Sequence, residues 1–78
     1  MLDPKRIESW IRSGIECNAL SVVGDGRHFE ATIVSPVFAG LTRVQRQQRV
    51  NAVLREHFES ELLHALSMRC LTPDEANG

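Results

Sequence analysis

The sequence has few of the residues with which a small protein forms disulfides or completes a metal site without a partner. It has two cysteines, Cys17 and Cys70, and they do not form a CxxC motif. A disulfide scaffold and a self-contained zinc ribbon are therefore not expected. Free cysteine is among the most buried residue types, so we expect both thiols to act as small apolar side chains.

Long apolar runs and an excess of one charge are also absent. No segment approaches the ~20 apolar residues that span a bilayer, and the N-terminus has no signal-peptide core, so we expect a cytoplasmic protein with no membrane partner. The net charge is −1, from 9 basic and 10 acidic residues, so any nucleic-acid binding must depend on a local patch. The length of 78 residues predicts one domain, covering residues 1–78.

Apolar periodicity and helix-capping patterns divide the chain into alternating helices and strands. Asp3 before Pro4 is typical of a helix start, and we expect Gly14 to end that helix. The glycines around Asp25 predict a hairpin turn. The predicted elements are a helix over 4–13, strands over 19–23 and 29–34, a helix over 42–58, a strand over 65–71 and a terminal helical turn over 72–75.

The predicted order is therefore α-β-β-α-β with a short helical tail. The connection between the second and third strands contains the long helix, and it is long enough for parallel pairing by a right-handed crossover. We expect an α+β fold in which a three-stranded mixed sheet is covered on one face by both helices. Val44, Val50, Val53, Leu54 and Phe58 are expected on the buried side of the second helix.

Two histidines, His28 and His64, each stand just before a predicted strand. An imidazole at a strand end is anchored by the strand and can still face outward. Two nitrogen donors are too few for a tetrahedral structural metal site, which needs about four ligands. If these residues bind metal, another molecule must complete the shell. The alternative is that His28 is a turn residue and His64 a hydrogen-bonded cap.

Three arginines recur at spacing three on the second predicted helix, namely Arg43, Arg46 and Arg49. Such a stripe could contact phosphate groups or an acidic partner. No aromatic residues lie between them, and segment 40–43 (GLTR) does not match the GXXG loop of nucleic-acid-binding KH domains. A solvated helix flank is the alternative interpretation.

Six segments together resemble the BolA family, most closely its short bacterial IbaG/YrbA branch. The resemblance covers nearly the whole chain in order and spacing, and it implies a fold like that of a class II KH domain. The segments are 24–29 (GDGRHF), 34–35 (VS), 38–46 (FAGLTRVQR), the helix 47–54, 63–67 (LHALS) and 71–75 (LTPDE).

The resemblance implies an adaptor that binds a monothiol glutaredoxin with a CGFS motif and shares a [2Fe-2S] cluster with it. The glutaredoxin and glutathione would supply thiolates. His64 matches the signature histidine of the family, and His28 is the best candidate for the second ligand. Family members are also linked to DNA binding and transcription, which would use Arg43, Arg46 and Arg49.

No serine lies in a nucleophile elbow, and an apolar strand position for Cys70 argues against a reactive thiolate, so we do not expect an enzyme. A small interaction domain without metal is a further hypothesis. The sequence leaves open whether the protein binds DNA and whether it forms a homodimer.

Overall fold

The predicted α-β-β-α-β order is confirmed in a computed structural model, which describes residues 3–57 and 65–78. Most predicted boundaries agree with the observed ones to within one residue. The elements are helix α1 (Pro4–Gly14), strand β1 (Ala19–Gly24), strand β2 (Phe29–Val34), a 3-10 turn (Pro36–Phe38), helix α2 (Arg43–Leu54), strand β3 (Leu66–Leu71) and helix α3 (Pro73–Asn77).

Strand β2 lies at the centre of the sheet. It pairs antiparallel with β1 and parallel with β3, so the sheet is mixed, as predicted. The register places Gly24, Phe29 and Leu66 side by side at one end. The parallel pairing follows from the helical crossover, because a tight turn cannot return the chain in the same direction.

The hydrophobic core lies between one face of the sheet and the two long helices. Every second residue of β2 is buried there, and Phe29, Ala31 and Ile33 are each at most 2% exposed. This alternation is the period-two pattern of the sequence, now seen as packing. The core residues are Ile7, Ile11, Ile15, Val22, Phe29, Ala31, Ile33, Phe38, Val50, Leu54 and Leu66.

Val34 lies on the same face of β2 as Glu30 and Thr32 but differs from them in burial. Val34 is only 8% exposed, whereas Glu30 and Thr32 on the same face are exposed. The segment before β1 folds over this end of the sheet. The Ser35 hydroxyl donates to the Glu16 carbonyl at 2.5 Å, and the Asn18 amide donates to the Val34 carbonyl at 2.7 Å. These bonds hold residues 16–18 beside the end of β2.

Helix α1 begins as predicted but ends differently. The Asp3 carboxylate accepts a hydrogen bond from the Lys5 amide at 2.9 Å, which is an N-cap. Gly14 was expected to follow the helix as a stop, but it is the last helical residue and Ile15 is the C-cap. A Cβ atom at Gly14 would lie 2.6 Å from Val53 Cγ1. Glycine is therefore required because α1 and α2 approach each other closely.

Helix α2 begins with a capping box. Thr42 Oγ1 accepts a hydrogen bond from the Gln45 amide, and the Gln45 side chain accepts one from the Thr42 amide. Val50 and Leu54 are buried as expected. Val44 is 61% exposed, contrary to the prediction. Val44 precedes Val50 by six positions, which on an α-helix places it about 120° away from Val50.

The predicted extension of this helix to residue 58 is also incorrect. Helix α2 ends at Leu54, and its C-cap is Arg55. Residues 55–57 form a turn in which the His57 amide donates to the Leu54 carbonyl at 2.9 Å. Phe58 lies outside the described residues, so its expected place on the buried side is not tested.

Candidate functional site

The loop that carries His28 is organised by the side chain of Asp25. Asp25 Oδ1 accepts hydrogen bonds from the amides of Arg27 at 2.8 Å and His28 at 2.9 Å. Gly26 has a φ of +95°, which favours glycine. The two amide bonds, that of His28 first, lower the pKa of Asp25. His28 is exposed, so the loop presents this residue to solvent in an ordered turn.

Strands β2 and β3 begin side by side. The Phe29 amide donates to the Ala65 carbonyl at 2.9 Å, and Phe29 pairs with Leu66 in the parallel register. Phe29 is 1% exposed, so the strand end that follows His28 is anchored in the core. His64, the other predicted ligand, lies outside the described residues. The structure therefore describes the residue that follows each histidine, and these two residues are hydrogen-bonded to each other.

The described residues contain no group of three or more His, Cys, Asp or Glu side chains that could hold a metal ion by themselves. Cys17 and Cys70 are free and half-buried. Burial raises the pKa of both thiols, that of Cys70 to about 11. A raised pKa and half-burial fit the expected role of both residues as small apolar side chains.

Arg46 is held inside the protein rather than on a free stripe. Its guanidinium donates to the Leu41 carbonyl at 3.0 Å, to the Cys70 carbonyl at 3.0 Å and to both Glu75 oxygens, at 2.6 and 3.2 Å. The Arg46 side chain is 13% exposed. We call Arg46 and Glu75, with these two carbonyls, the Arg46 clamp. It joins the start of α2, the end of β3 and helix α3.

The clamp changes the ionisation of its carboxylate. The Arg46 side-chain hydrogen bond, followed by the Thr72 amide bond, lowers the pKa of Glu75 from 4.5 to about 2. Glu75 also completes a capping box of α3 with Thr72. One carboxylate therefore caps the last helix and fixes Arg46. Sequence reasoning missed this pair because 29 positions separate its members.

The other two arginines of the predicted stripe lie on different sides of α2. Arg43 is exposed and borders a groove beside β3, whereas exposed Arg49 borders a depression beside Ser13 and Gly14 of α1. Helical spacing accounts for this, because residues six positions apart are about 120° apart around the axis. The three arginines do not present one continuous basic surface.

A groove runs between α2 and β3 that sequence reasoning did not identify. Its volume is about 330 Å³. The available signal was the spacing of Arg43, Gln47 and Asn51, which at four-residue intervals lie along one side of a helix. The α2–β3 groove is lined by Arg43, Gln47, Asn51, Leu66, Ser67 and Met68.

These features define a class of small α+β protein in which two helices cover one face of a three-stranded mixed sheet. The loop that carries His28 lies at the end of the sheet where β2 and β3 begin, at Phe29 and Leu66, which we call the strand mouth. Comparison with known proteins agrees: the sequence profile of the BolA-like protein family matches residues 7–75. The chain belongs to the BolA-like family.

Individual relatives extend this result. The chain is 32% identical over 74 residues to acid stress protein IbaG of Escherichia coli K12, covering 95% of this chain and 88% of the relative. It is 38% identical over 52 residues to the DNA-binding transcriptional regulator BolA of Haemophilus influenzae, covering 67% of this chain and 50% of that protein. The solved structure of a BolA homologue from Coxiella burnetii superimposes with a TM-score of 0.86 at 38% identity, covering both chains fully.

Within the described ranges, no helix has the length and apolar character needed to cross a bilayer.

Proposed function

We propose that this protein is an adaptor that binds a monothiol glutaredoxin and co-ligates a [2Fe-2S] cluster with it, in iron-sulfur trafficking or iron regulation. His64 and His28 would supply imidazole nitrogens, and the glutaredoxin and its glutathione would supply thiolates. The proposed role is transfer or sensing rather than catalysis, and the expected cytoplasmic location is part of the proposal. Membership of the BolA-like family is its starting point.

The hydrogen bond between the Phe29 amide and the Ala65 carbonyl is the observation that carries the proposal. It joins the residue that follows His28 to the residue that follows His64. In this proposal the two histidines would meet one centre at the strand mouth, the end of the sheet where β2 and β3 begin. His28 is exposed there, as a ligand to a cluster shared between two proteins must be.

The donor chemistry fits a partly completed shell. Among residues 3–57 and 65–78, no cluster of metal-ligating side chains could close a site alone, and both cysteines are half-buried. A partner would therefore have to bring the sulfur ligands. Neutral imidazoles on one iron raise the reduction potential of a two-iron cluster relative to thiolate ligation.

The test is reconstitution of the protein with a CGFS glutaredoxin, glutathione, iron and sulfide. We expect His64→Ala to abolish the visible absorption and circular dichroism of the mixed complex, and His28→Ala to change the spectrum or shorten the cluster's lifetime. The matched control is His57→Gln. His57 stacks on Trp10 with ring centroids 5.1 Å apart, so its imidazole already has a partner in this chain and the spectrum of this variant should not change.

A wild-type spectrum from His64→Ala would overturn the cluster assignment. A wild-type spectrum and lifetime from His28→Ala would remove His28 from the shell. Far-UV circular dichroism of each variant separates ligand loss from unfolding.

DNA binding is the second candidate function. The observation in its favour is that Arg43 and Arg49 are exposed, together with the similarity to a relative named as a DNA-binding transcriptional regulator. Arg46 was part of the same hypothesis, but its hydrogen bonds in the clamp leave it a structural role. Any phosphate contacts would therefore come mainly from Arg43 and Arg49.

Salt dependence tests this alternative. DNA binding by the isolated protein should weaken as salt rises, and Arg43→Gln and Arg49→Gln should each reduce the slope of log K against log salt by about 1. Lys5→Gln is the control, since Lys5 is an exposed cation on α1. No binding to duplex or single-stranded DNA at low salt would eliminate this function.

A further inference from the structure

The outer edge of β3 has backbone groups that face away from the sheet. The Phe29 amide donates to the Ala65 carbonyl, and the Ser35 amide donates to the Leu71 carbonyl, each at 2.9 Å. In a parallel pair of strands, alternate residues point their backbone N–H and C=O groups to the same neighbouring strand. Because Ala65 and Leu71 point theirs to β2, Ser67 and Arg69 do so as well. The backbone groups of the residues between them, Leu66, Met68 and Cys70, face outward.

One of these outward groups is already occupied. The Cys70 carbonyl accepts a hydrogen bond from Arg46 Nη1 at 3.0 Å. Among the described residues no further strand pairs with β3, because the sheet order ends there. The edge therefore offers the amides of Leu66, Met68 and Cys70 and the carbonyls of Leu66 and Met68. Donors and acceptors alternate at the repeat of an extended chain.

The α2–β3 groove lies directly beside this edge and is lined by polar side chains of α2. Arg43, Gln47 and Asn51 follow one another at four-residue spacing along the groove. Asn51 Oδ1 is shielded from solvent and accepts no hydrogen bond within the described part of the chain. Buried polar atoms are normally paired, so the groove has hydrogen-bonding capacity that its own residues do not use.

The groove also carries a net positive charge. It continues along β3 past Arg69 to the Arg46 clamp. Its one acidic lining residue, Glu75, is engaged by Arg46, so the two charges cancel locally. Arg43 and Arg69 are exposed and make none of the described ion pairs. The edge is therefore flanked by two unneutralised guanidinium groups.

We propose that the β3 edge binds an extended acidic segment of a partner protein as an additional strand of the sheet. Strand addition gives affinity through main-chain hydrogen bonds and specificity through alternate side chains. Successive side chains of an added strand lie on opposite faces of the sheet, so acidic side chains on the helix side would meet Arg43 and those on the open side would meet Arg69. The inference goes beyond the proposed function and does not rest on it, because it uses neither histidine.

Hydrogen-bond chemistry favours a peptide over a nucleic acid at this edge. A DNA phosphodiester backbone offers only acceptors along its length, so donors for the carbonyls of Leu66 and Met68 would have to come from the bases. A peptide backbone satisfies both kinds of group. Charge also disfavours a second copy of this chain, because pairing two β3 edges would bring the Arg43 and Arg69 side chains of both copies together.

The experiment is a ¹⁵N–¹H NMR titration with the probe acetyl-Thr-Glu-Glu-Val-Glu-Glu-Thr-amide, which carries glutamates on both faces of an extended chain. We expect the amides of Leu66, Met68 and Cys70 to shift and their hydrogen exchange to slow as the peptide is added. The amides of Ser67 and Arg69 already face β2, and their exchange should change much less. This alternation is specific to strand addition.

Matched peptides and variants control for charge. A probe with lysine in place of glutamate should not bind. Arg43→Gln and Arg69→Gln should each weaken the acidic peptide about two- to fivefold at low salt, as exposed charge pairs do. Arg6→Gln, on an exposed face of α1, should leave its affinity unchanged.

N-methylated peptides test the main-chain bonds without altering the protein. One carries N-methyl groups on its even-numbered residues and the other on its odd-numbered residues. Strand addition requires one of the two to lose binding and the other to retain it. Equal binding by both would overturn the proposal.

Three further outcomes would also overturn it. The first is an acidic peptide that leaves the amides of Leu66, Met68 and Cys70 unmoved. The second is a thymidine oligonucleotide that shifts these amides and displaces the peptide. The third is a concentration dependence of the same amides in the protein alone, which would assign the edge to self-association.

Discussion

At the scale of single residues, Arg46 and Glu75 make a contact that their sequence patterns do not predict. Arg46 reads as one member of a basic stripe, yet it makes hydrogen bonds to two carbonyls and one carboxylate. Glu75 reads as a capping residue, which it is, and it is also the partner of that guanidinium. The contact between them depends on the fold bringing α2 and α3 to the same end of β3.

The Arg46–Glu75 pair predicts acid sensitivity with a defined range. The pKa of Glu75 is lowered to about 2 from 4.5, so the folded protein binds this proton less tightly than the unfolded chain. The stabilisation is present above about pH 4.5 and is lost as the pH falls towards 2. Glu75→Gln should therefore lower the melting temperature at pH 7 and match the wild type near pH 2. Melting curves by circular dichroism across this range measure the difference.

The control for this prediction is Asp74→Asn. Asp74 is the neighbouring exposed carboxylate of α3, and its side chain makes none of the described hydrogen bonds or ion pairs. This variant should keep the pH dependence of the wild type. An equal loss of acid sensitivity in both variants would show that the pair with Arg46 is not its source.

At the scale of elements, the close approach of α1 and α2 sets the shape of the helical layer. Gly14 lies in the last turn of α1 with Val53 of α2 against it. An alanine in a helix usually stabilises by about 1 kcal/mol over glycine, so steric overlap and helix propensity oppose each other here. The 2.6 Å approach to a stiff β-branched side chain indicates that the overlap dominates.

We predict that Gly14→Ala lowers the free energy of unfolding by about 1–3 kcal/mol, the usual cost of overpacking. In a Val53→Ala background the same change should be neutral or stabilising, because the overlapping methyl groups are gone. A urea-unfolding double-mutant cycle measures this coupling. Additive effects would mean that Gly14 and Val53 do not constrain each other.

Local sequence patterns predicted most of the fold but little of the candidate site. The caps at Asp3, Thr42 and Thr72 depend on neighbours within three positions, so their sequences specify them. The role of Gly14 depends on Val53, far along the chain, and it was misread as a stop. The Arg46 clamp and the α2–β3 groove likewise exist only once separate elements have packed. The His64 prediction falls outside the described residues and stays a prediction.

At the scale of the whole molecule, one core on one face of the sheet holds every long element together. Residues from both helices, the three strands and the 3-10 turn meet in a single buried cluster. A domain of this size has roughly 4–12 kcal/mol of net stability. No element has a core of its own within the described ranges, so unfolding should be cooperative.

Phe38→Ala tests this single-core description. Phe38 is completely buried, and removing a buried phenylalanine costs about 3–5 kcal/mol. We expect unfolding curves from Trp10 fluorescence and far-UV circular dichroism to shift together to lower urea. Curves that separate would reveal two units that unfold independently.

The Arg46 clamp also has a consequence for work on shortened chains. The last helix has no buried residues, which suggests a tail that can be trimmed freely. A stop codon in place of Glu75 would nevertheless remove the carboxylate that pairs with the Arg46 guanidinium in the first turn of α2. Removing four residues at the C-terminus would thus be felt at the first turn of a helix that begins 32 positions earlier, at Arg43.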